Sequence, residues 1–164
     1  MFCNQCEQTA KGEGCTKIGV CGKKPEIAAL QDLLIHSLKG LSLYAVEGRK
    51  KGVATPEADT FIIDALFSTL TNVNFDPERF VPMLRKCVEL SDSLKEKVEA
   101  AGGSVAACPA GGQLADSLDE LIKQGEAVGL RADPDANEDI RSLQEILLYG
   151  LKGVAAYASH ARIL

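Results

Sequence analysis

Four of the six cysteines fall within the first 21 residues: Cys3, Cys6, Cys15 and Cys21, spaced Cys-x2-Cys-x8-Cys-x5-Cys. Thiolate sulfur is a soft donor, and four such donors suit either Zn²⁺ or an iron–sulfur cluster. A disulfide framework spreads its cysteines over a small, loop-rich chain. Here they are bunched, and the first 24 residues lack the apolar core of a secretory leader, so the thiols are expected to stay reduced. Structural zinc sites most often pair two close Cys-x2-4-Cys knuckles, whereas only the first pair is close here. A cluster is larger than one ion and tolerates more varied gaps. Spacing alone therefore puts an iron–sulfur centre first, zinc second and unrelated thiols third.

The surroundings of the quartet fit a loop. Gly12, Gly14, Gly19 and Gly22 interrupt any periodicity and let the backbone approach a bulky group with its N–H groups toward sulfur. Residues 1–24 carry Lys11, Lys17, Lys23 and Lys24 against Glu7 and Glu13, a net of +2. The whole chain carries −5, so the remaining 140 residues carry −7. Local cations offset the charge that four thiolates bring.

The elements that must hold this loop read as helices. Pro25 sits where a first helical turn tolerates it, with Glu26 beside the positive end. Ile27, Leu30, Leu34, Leu38, Leu41 and Ala45 then recur at three and four, and this helix should end between Gly48 and Gly52. Thr55-Pro56-Glu57 opens a second helix carrying Phe61, Ala65, Phe67 and Leu70. Asp76-Pro77-Glu78 opens a third, with Phe80, Leu84, Cys87, Val88, Leu94 and Val98, stopped by Gly102-Gly103. A short helix is expected from Ser117 to about Val128, and a last long one from about Asn137.

Composition agrees with an all-α fold. The 164 residues are 46% hydrophobic and 25% charged, as in an ordinary soluble domain, with only 5% aromatics. Val, Ile and Thr do not alternate with polar residues over any long stretch, which argues against an all-β fold. The acidic balance argues against nucleic acid as a partner, and the lack of a run of about 18 apolar residues argues against a membrane span.

The last helix repeats the first. Residues 30–45 and 143–158 share eight of sixteen positions at a separation of 113, including Leu-Lys-Gly and the Tyr-Ala beyond it. If the first copy opens a three-helix bundle, the second should open another, whose two partner helices the chain does not supply. That apolar stripe must dock on the first bundle or be covered by something else. The expected organisation is a Cys-rich iron–sulfur loop at 1–25, a first three-helix bundle at 26–102, a connection with a short helix at 103–135, and the first helix of a second, incomplete bundle at 136–164.

Met1-Phe2-Cys3-Asn4-Gln5-Cys6-Glu7-Gln8-Thr9, Gly14-Cys15 and Val20-Cys21-Gly22-Lys23 closely resemble the opening of the hybrid cluster protein family, also called prismane proteins or hydroxylamine reductases. The resemblance continues through Leu30-Gln31-Asp32-Leu33-Leu34, Leu70-Thr71-Asn72-Val73-Asn74-Phe75-Asp76 and Leu151-Lys152-Gly153-Val154-Ala155-Ala156-Tyr157. It is weakest over 102–130.

This resemblance implies that Cys3, Cys6, Cys15 and Cys21 hold a [4Fe–4S] cluster, or less readily the [2Fe–2S] cluster of a branch with wider spacing. It implies an all-helical N-terminal domain of two three-helix bundles. It also implies an oxidoreductase that reduces hydroxylamine to ammonia, with nitric oxide reduction and protein S-nitrosation also attributed to the family; the clustered, reduced cysteines lead to the expectation that the chain is cytoplasmic. That chemistry belongs to a second, hybrid 4Fe-2O-2S cluster held by His, Glu and Cys residues of two later α/β domains. The expected role here is a one-electron relay, with an NAD(P)H-dependent iron–sulfur flavoprotein reductase as donor and the remaining domains, or a second copy, as partner. This chain alone is expected not to reduce hydroxylamine, and no catalytic residue is assigned. A helical interaction module with a structural zinc loop of four cysteines stays open as the alternative reading, with a free-standing ferredoxin-like carrier as a third.

Cys87 lies on an apolar helical stripe and reads as a buried small hydrophobe. Cys108 lies in a Gly/Ala loop with nothing nearby to activate it. Neither matches the hybrid-cluster motifs. His36 and His160 read as packing or surface residues. Tyr44 and Tyr157 recur in the repeat and read as a shared packing position. Asp133, Asp135, Glu138 and Asp139 complement the positive end of the last helix.

Overall fold

The computed structural model describes residues 1–105, 113–129 and 132–164. Cys108 lies outside them. Among the described residues there are five α-helices and no strand: α1 (Pro25–Lys50), α2 (Pro56–Ser68), α3 (Pro77–Ala100), α4 (Leu118–Ala127) and α5 (Glu138–Ile163). The fold is all-α. No described helix is long and apolar enough to cross a membrane.

Proline punctuation sets three of the starts. Pro25, Pro56 and Pro77 each occupy the first helical turn, where a missing N–H costs nothing. Asp76, Ser117 and Asn137 accept backbone N–H groups of α3, α4 and α5. Thr55 does not cap in this way; its hydroxyl donates instead to the Asp59 carboxylate at 2.8 Å. Glu138 and Asp139 lie in the first turn of α5, the favourable end for their charge.

The core is built round α1. Its Ile27, Leu30, Leu34, Leu38, Leu41 and Ala45 meet Phe80, Leu84, Cys87, Leu90, Leu94 and Val98 of α3 in one buried cluster. Cys87 is a packed core thiol, as its place on the stripe indicates. The stretch read as a connection contributes more than that reading allowed. Leu121 of α4 is fully buried in the same cluster, and Leu114 joins it. Gly125 of α4 lies so close to α1 that a Cβ there would run into the carbonyl oxygen of Ala29. A short helix with few apolar residues does not advertise such an approach in its sequence.

The last helix packs along α2. Ser159 Oγ donates to Asp64 Oδ1 at 3.0 Å, and Arg162 Nη2 stands 3.0 Å from Asp64 Oδ2. The Phe67 and His160 rings meet edge to face at 5.3 Å. The face of α5 that does this is not the face α1 uses. Leu143, Leu147, Leu151 and Val154 are 67%, 65%, 46% and 65% exposed, while their counterparts Leu30, Leu34, Leu38 and Leu41 are 0%, 0%, 4% and 0% exposed. The buried residues of α5 are Lys152, Ala155 and Ser159. The shared tyrosine position is accordingly not shared packing: Tyr44 packs against the core, and Tyr157 is 81% exposed.

Candidate functional site

The cysteine loop is organised by its backbone. Cys3 and Cys15 form an antiparallel bridge, with Cys3 N–H donating to Cys15 O at 3.1 Å and Cys15 N–H to Cys3 O at 2.8 Å. The Thr9 hydroxyl also donates to Cys3 O at 3.0 Å. Cys6 begins the turn between them, its carbonyl accepting Thr9 N–H at 3.1 Å. A second turn follows: Gly22 N–H donates to Gly19 O and Gly19 N–H to Lys23 O, both at 2.8 Å. Gly22 adopts φ +88°, a conformation that side-chain-bearing residues rarely take. This turn carries Cys21 and then directs Lys23 inward.

Cys3, Cys6, Cys15 and Cys21 are all free thiols; Cys15 is buried and the other three are partly exposed. Backbone hydrogen bonding from Ala10 and then Val20 lowers the Cys15 thiol below its ordinary value, aided by Thr9 and by the charge of Lys23, against the raising effect of burial. The loop is tied to the helices by Asn4 Nδ2, which donates to Glu145 Oε2 of α5 at 2.9 Å. Among the described residues, no three Cys, His, Asp or Glu side chains gather closely enough to share a single metal ion.

Two lysines behind the loop are buried, Lys23 to 1% and Lys152 to 2% exposure. Lys23 Nζ donates to Gln31 Oε1 at 2.7 Å and stands 3.9 Å from Cys3 Sγ. Lys152 Nζ donates to the Thr69 carbonyl at 3.2 Å. Neither ammonium reaches a carboxylate at ion-pair distance among the described residues. Burial pulls Lys152 down to about 8, with Lys23 pushing the same way and Asp32 and Cys3 opposing. Burial likewise pushes the Asp32 carboxyl up to about 6, against the pull of Lys152 and Lys23. Cys3, Gln5, Asp32, Glu145 and Lys152 face a cleft of about 300 Å³.

These surroundings fit an anionic, acceptor-rich group on the cysteines. Burying an ammonium without a close counter-charge is costly, and the hydrogen-bond partners of Lys23 are a neutral amide and a sulfur, with the Asp32 carboxyl acting only at longer range. Gln31 Nε2 is a buried donor with no acceptor. A thiolate-bound iron–sulfur cluster offers both negative charge and sulfur acceptors. Cysteine type and spacing marked the loop in advance. Lys23, Gln31, Asp32 and Lys152 were not legible as a group, because a lysine in a glycine-rich loop reads as solvated.

A sequence profile of the Prismane/CO dehydrogenase family matches residues 1–164. The chain belongs to this family. Its prismane relatives include the hydroxylamine reductase of Syntrophobacter fumaroxidans, 60% identical across the whole of this chain. The hydroxylamine reductases of Methanocella arvoryzae and Geobacter metallireducens are 57% and 49% identical over the same extent. The chain spans 31% of the length of each of these relatives and matches their N-terminal part. The resemblance read from the Cys3–Lys23 segment is thereby established for the full 164 residues.

Proposed function

We propose that this prismane-family chain is the electron-relay portion of a hydroxylamine reductase, with Cys3, Cys6, Cys15 and Cys21 as the ligands of a [4Fe–4S] cluster. The observation that carries the reading is the placement of four free thiols on one loop, backed by a buried lysine that reaches no carboxylate at ion-pair distance among the described residues. A cluster held there supplies one-electron exchange between an external donor and the hydroxylamine-reducing part of the enzyme.

The chain's own residues do the rest. The Cys3–Cys15 bridge pairs the backbone positions that carry two of the thiols, and the Gly19–Gly22 turn carries Cys21. Ile18 and Val20 on the same loop are exposed, and with the exposed Lys17 and Lys24 they offer a surface for a donor protein to approach. An NAD(P)H-dependent iron–sulfur flavoprotein suits that role, in a reducing compartment such as the cytoplasm. The outward stripe of α5 is where further parts of the reductase, or a second copy, would pack.

The test is a set of single variants, Cys3→Ser, Cys6→Ser, Cys15→Ser, Cys21→Ser and Cys87→Ser, each purified without oxygen and assayed for iron and sulfide. The first four should lose most of both, and Cys87→Ser should match the parent. Equal metal content in all five would contradict the assignment.

A further inference from the structure

Resting on the cluster reading above, we propose that Lys23, with Lys152 behind it, is a built-in counter-cation that raises the reduction potential of an iron–sulfur centre held by the loop. The residues come from different parts of the chain: Lys23 closes the cysteine loop, and Lys152 arrives on α5. Each is wholly buried, which lysine rarely is without a specific partner. Lys23 Nζ is fixed by Gln31 Oε1 at 2.7 Å and stands 3.9 Å from Cys3 Sγ. Lys152 is held by the Thr69 carbonyl at 3.2 Å and lies in electrostatic reach of Cys3, Lys23 and Asp32.

The sign follows from charge. Reduction adds one negative charge to an already anionic thiolate assembly. A cation held beside it in a low-dielectric interior favours the reduced form more than the oxidised one. A flexible surface lysine does little of this, because water and salt screen it. The repeat supplies that comparison within one molecule: Lys39, the counterpart of Lys152, is exposed.

The experiment uses the full chain loaded anaerobically with iron and sulfide, with midpoint potentials from mediated titration followed by visible bleaching and electron paramagnetic resonance. Lys23→Met should lower the potential by at least a tenfold change in the reduced-to-oxidised ratio, about 59 mV for one electron. Lys152→Met should shift it the same way by less. Lys23→Arg and Lys39→Met should stay near the parent. A packing role alone would change the stability of Lys23→Met and leave its potential in place. A loaded Lys23→Met at or above the parent potential overturns the proposal. If that variant fails to hold a cluster, Lys152→Met decides by the same criterion. A parent chain that takes up no iron and sulfide removes the cluster reading itself, an outcome distinct from an unmoved potential.

Discussion

Lys39 and Lys152 hold the same position in a repeated helical sequence, yet Lys39 faces solvent and Lys152 is buried with its ammonium on the Thr69 carbonyl. The difference arises because α5 packs on α2 by the face that α1 turns outward. It has a measurable signature in the cluster-free chain. Burial sets Lys152 at about 8, below its ordinary 10.5. Between those values the unfolded chain binds more protons than the folded one, so this residue's contribution to stability rises with pH. The burial penalty is full below about 8 and gone above 10.5, a change of about 3 kcal/mol at most. Lys152→Met should lack that rise. Urea unfolding at about pH 7.5 and about pH 10 compares them, and parallel profiles would count against the burial of the charge.

Asp32 runs in the opposite sense. Burial lifts its carboxyl from 3.8 to about 6, so the folded chain binds more protons between those values. Its contribution is best below 3.8 and worsens as pH rises through about 6, by about 3 kcal/mol at most. Asp32→Asn should flatten the profile between about pH 4 and about pH 7 and be the more stable of the two at the upper end. The comparison belongs to the cluster-free chain, where Lys152, Lys23, the N-terminal ammonium and Lys39 are the cations acting on this carboxyl.

The approach of α4 to α1 depends on Gly125, whose missing Cβ leaves room for the Ala29 carbonyl. Gly125→Ala should destabilise by about 1–3 kcal/mol or more, since backbone rather than a flexible side chain blocks it. Gly150→Ala, on α5 with nothing near its Cβ position, should instead stabilise by about 0.5–1 kcal/mol through helix propensity. Thermal and urea unfolding of the two variants should move in opposite directions.

Gly19 sits against the part of the loop that presents sulfur. A Cβ there would lie 3.1 Å from Cys21 Sγ and 3.0 Å from Lys23 Cβ. Gly19→Ala should therefore lower iron and sulfide retention several-fold while far-ultraviolet circular dichroism stays unchanged, because the helices do not touch the new methyl. Full retention would show that the turn has slack.

How much of this was legible in the sequence differs from element to element. The stripes of α1 and α3 were plain because each buries one continuous face with a period the chain itself displays. The starts at Pro25, Pro56 and Pro77 were plain because proline has one favourable place in a helix. The core role of α4 was hidden, since Leu121 and Gly125 act through the approach of another helix. The orientation of α5 was hidden too: a repeated sequence shows the same apolar stripe in both copies, and only the packing partner decides which face is covered. At the candidate site, the cysteines stand out in the sequence by type and spacing. The burial of Lys23 did not, because it depends on the turn at Gly19–Gly22 and on Gln31 in α1.

The most direct measurement is the iron, sulfide and zinc content of the whole chain purified and kept without oxygen, read with its visible spectrum before and after dithionite. The expected result is about four irons and four sulfides per chain, with a brown chromophore that bleaches on reduction. A colourless chain holding one zinc and no sulfide on the same four cysteines would contradict it.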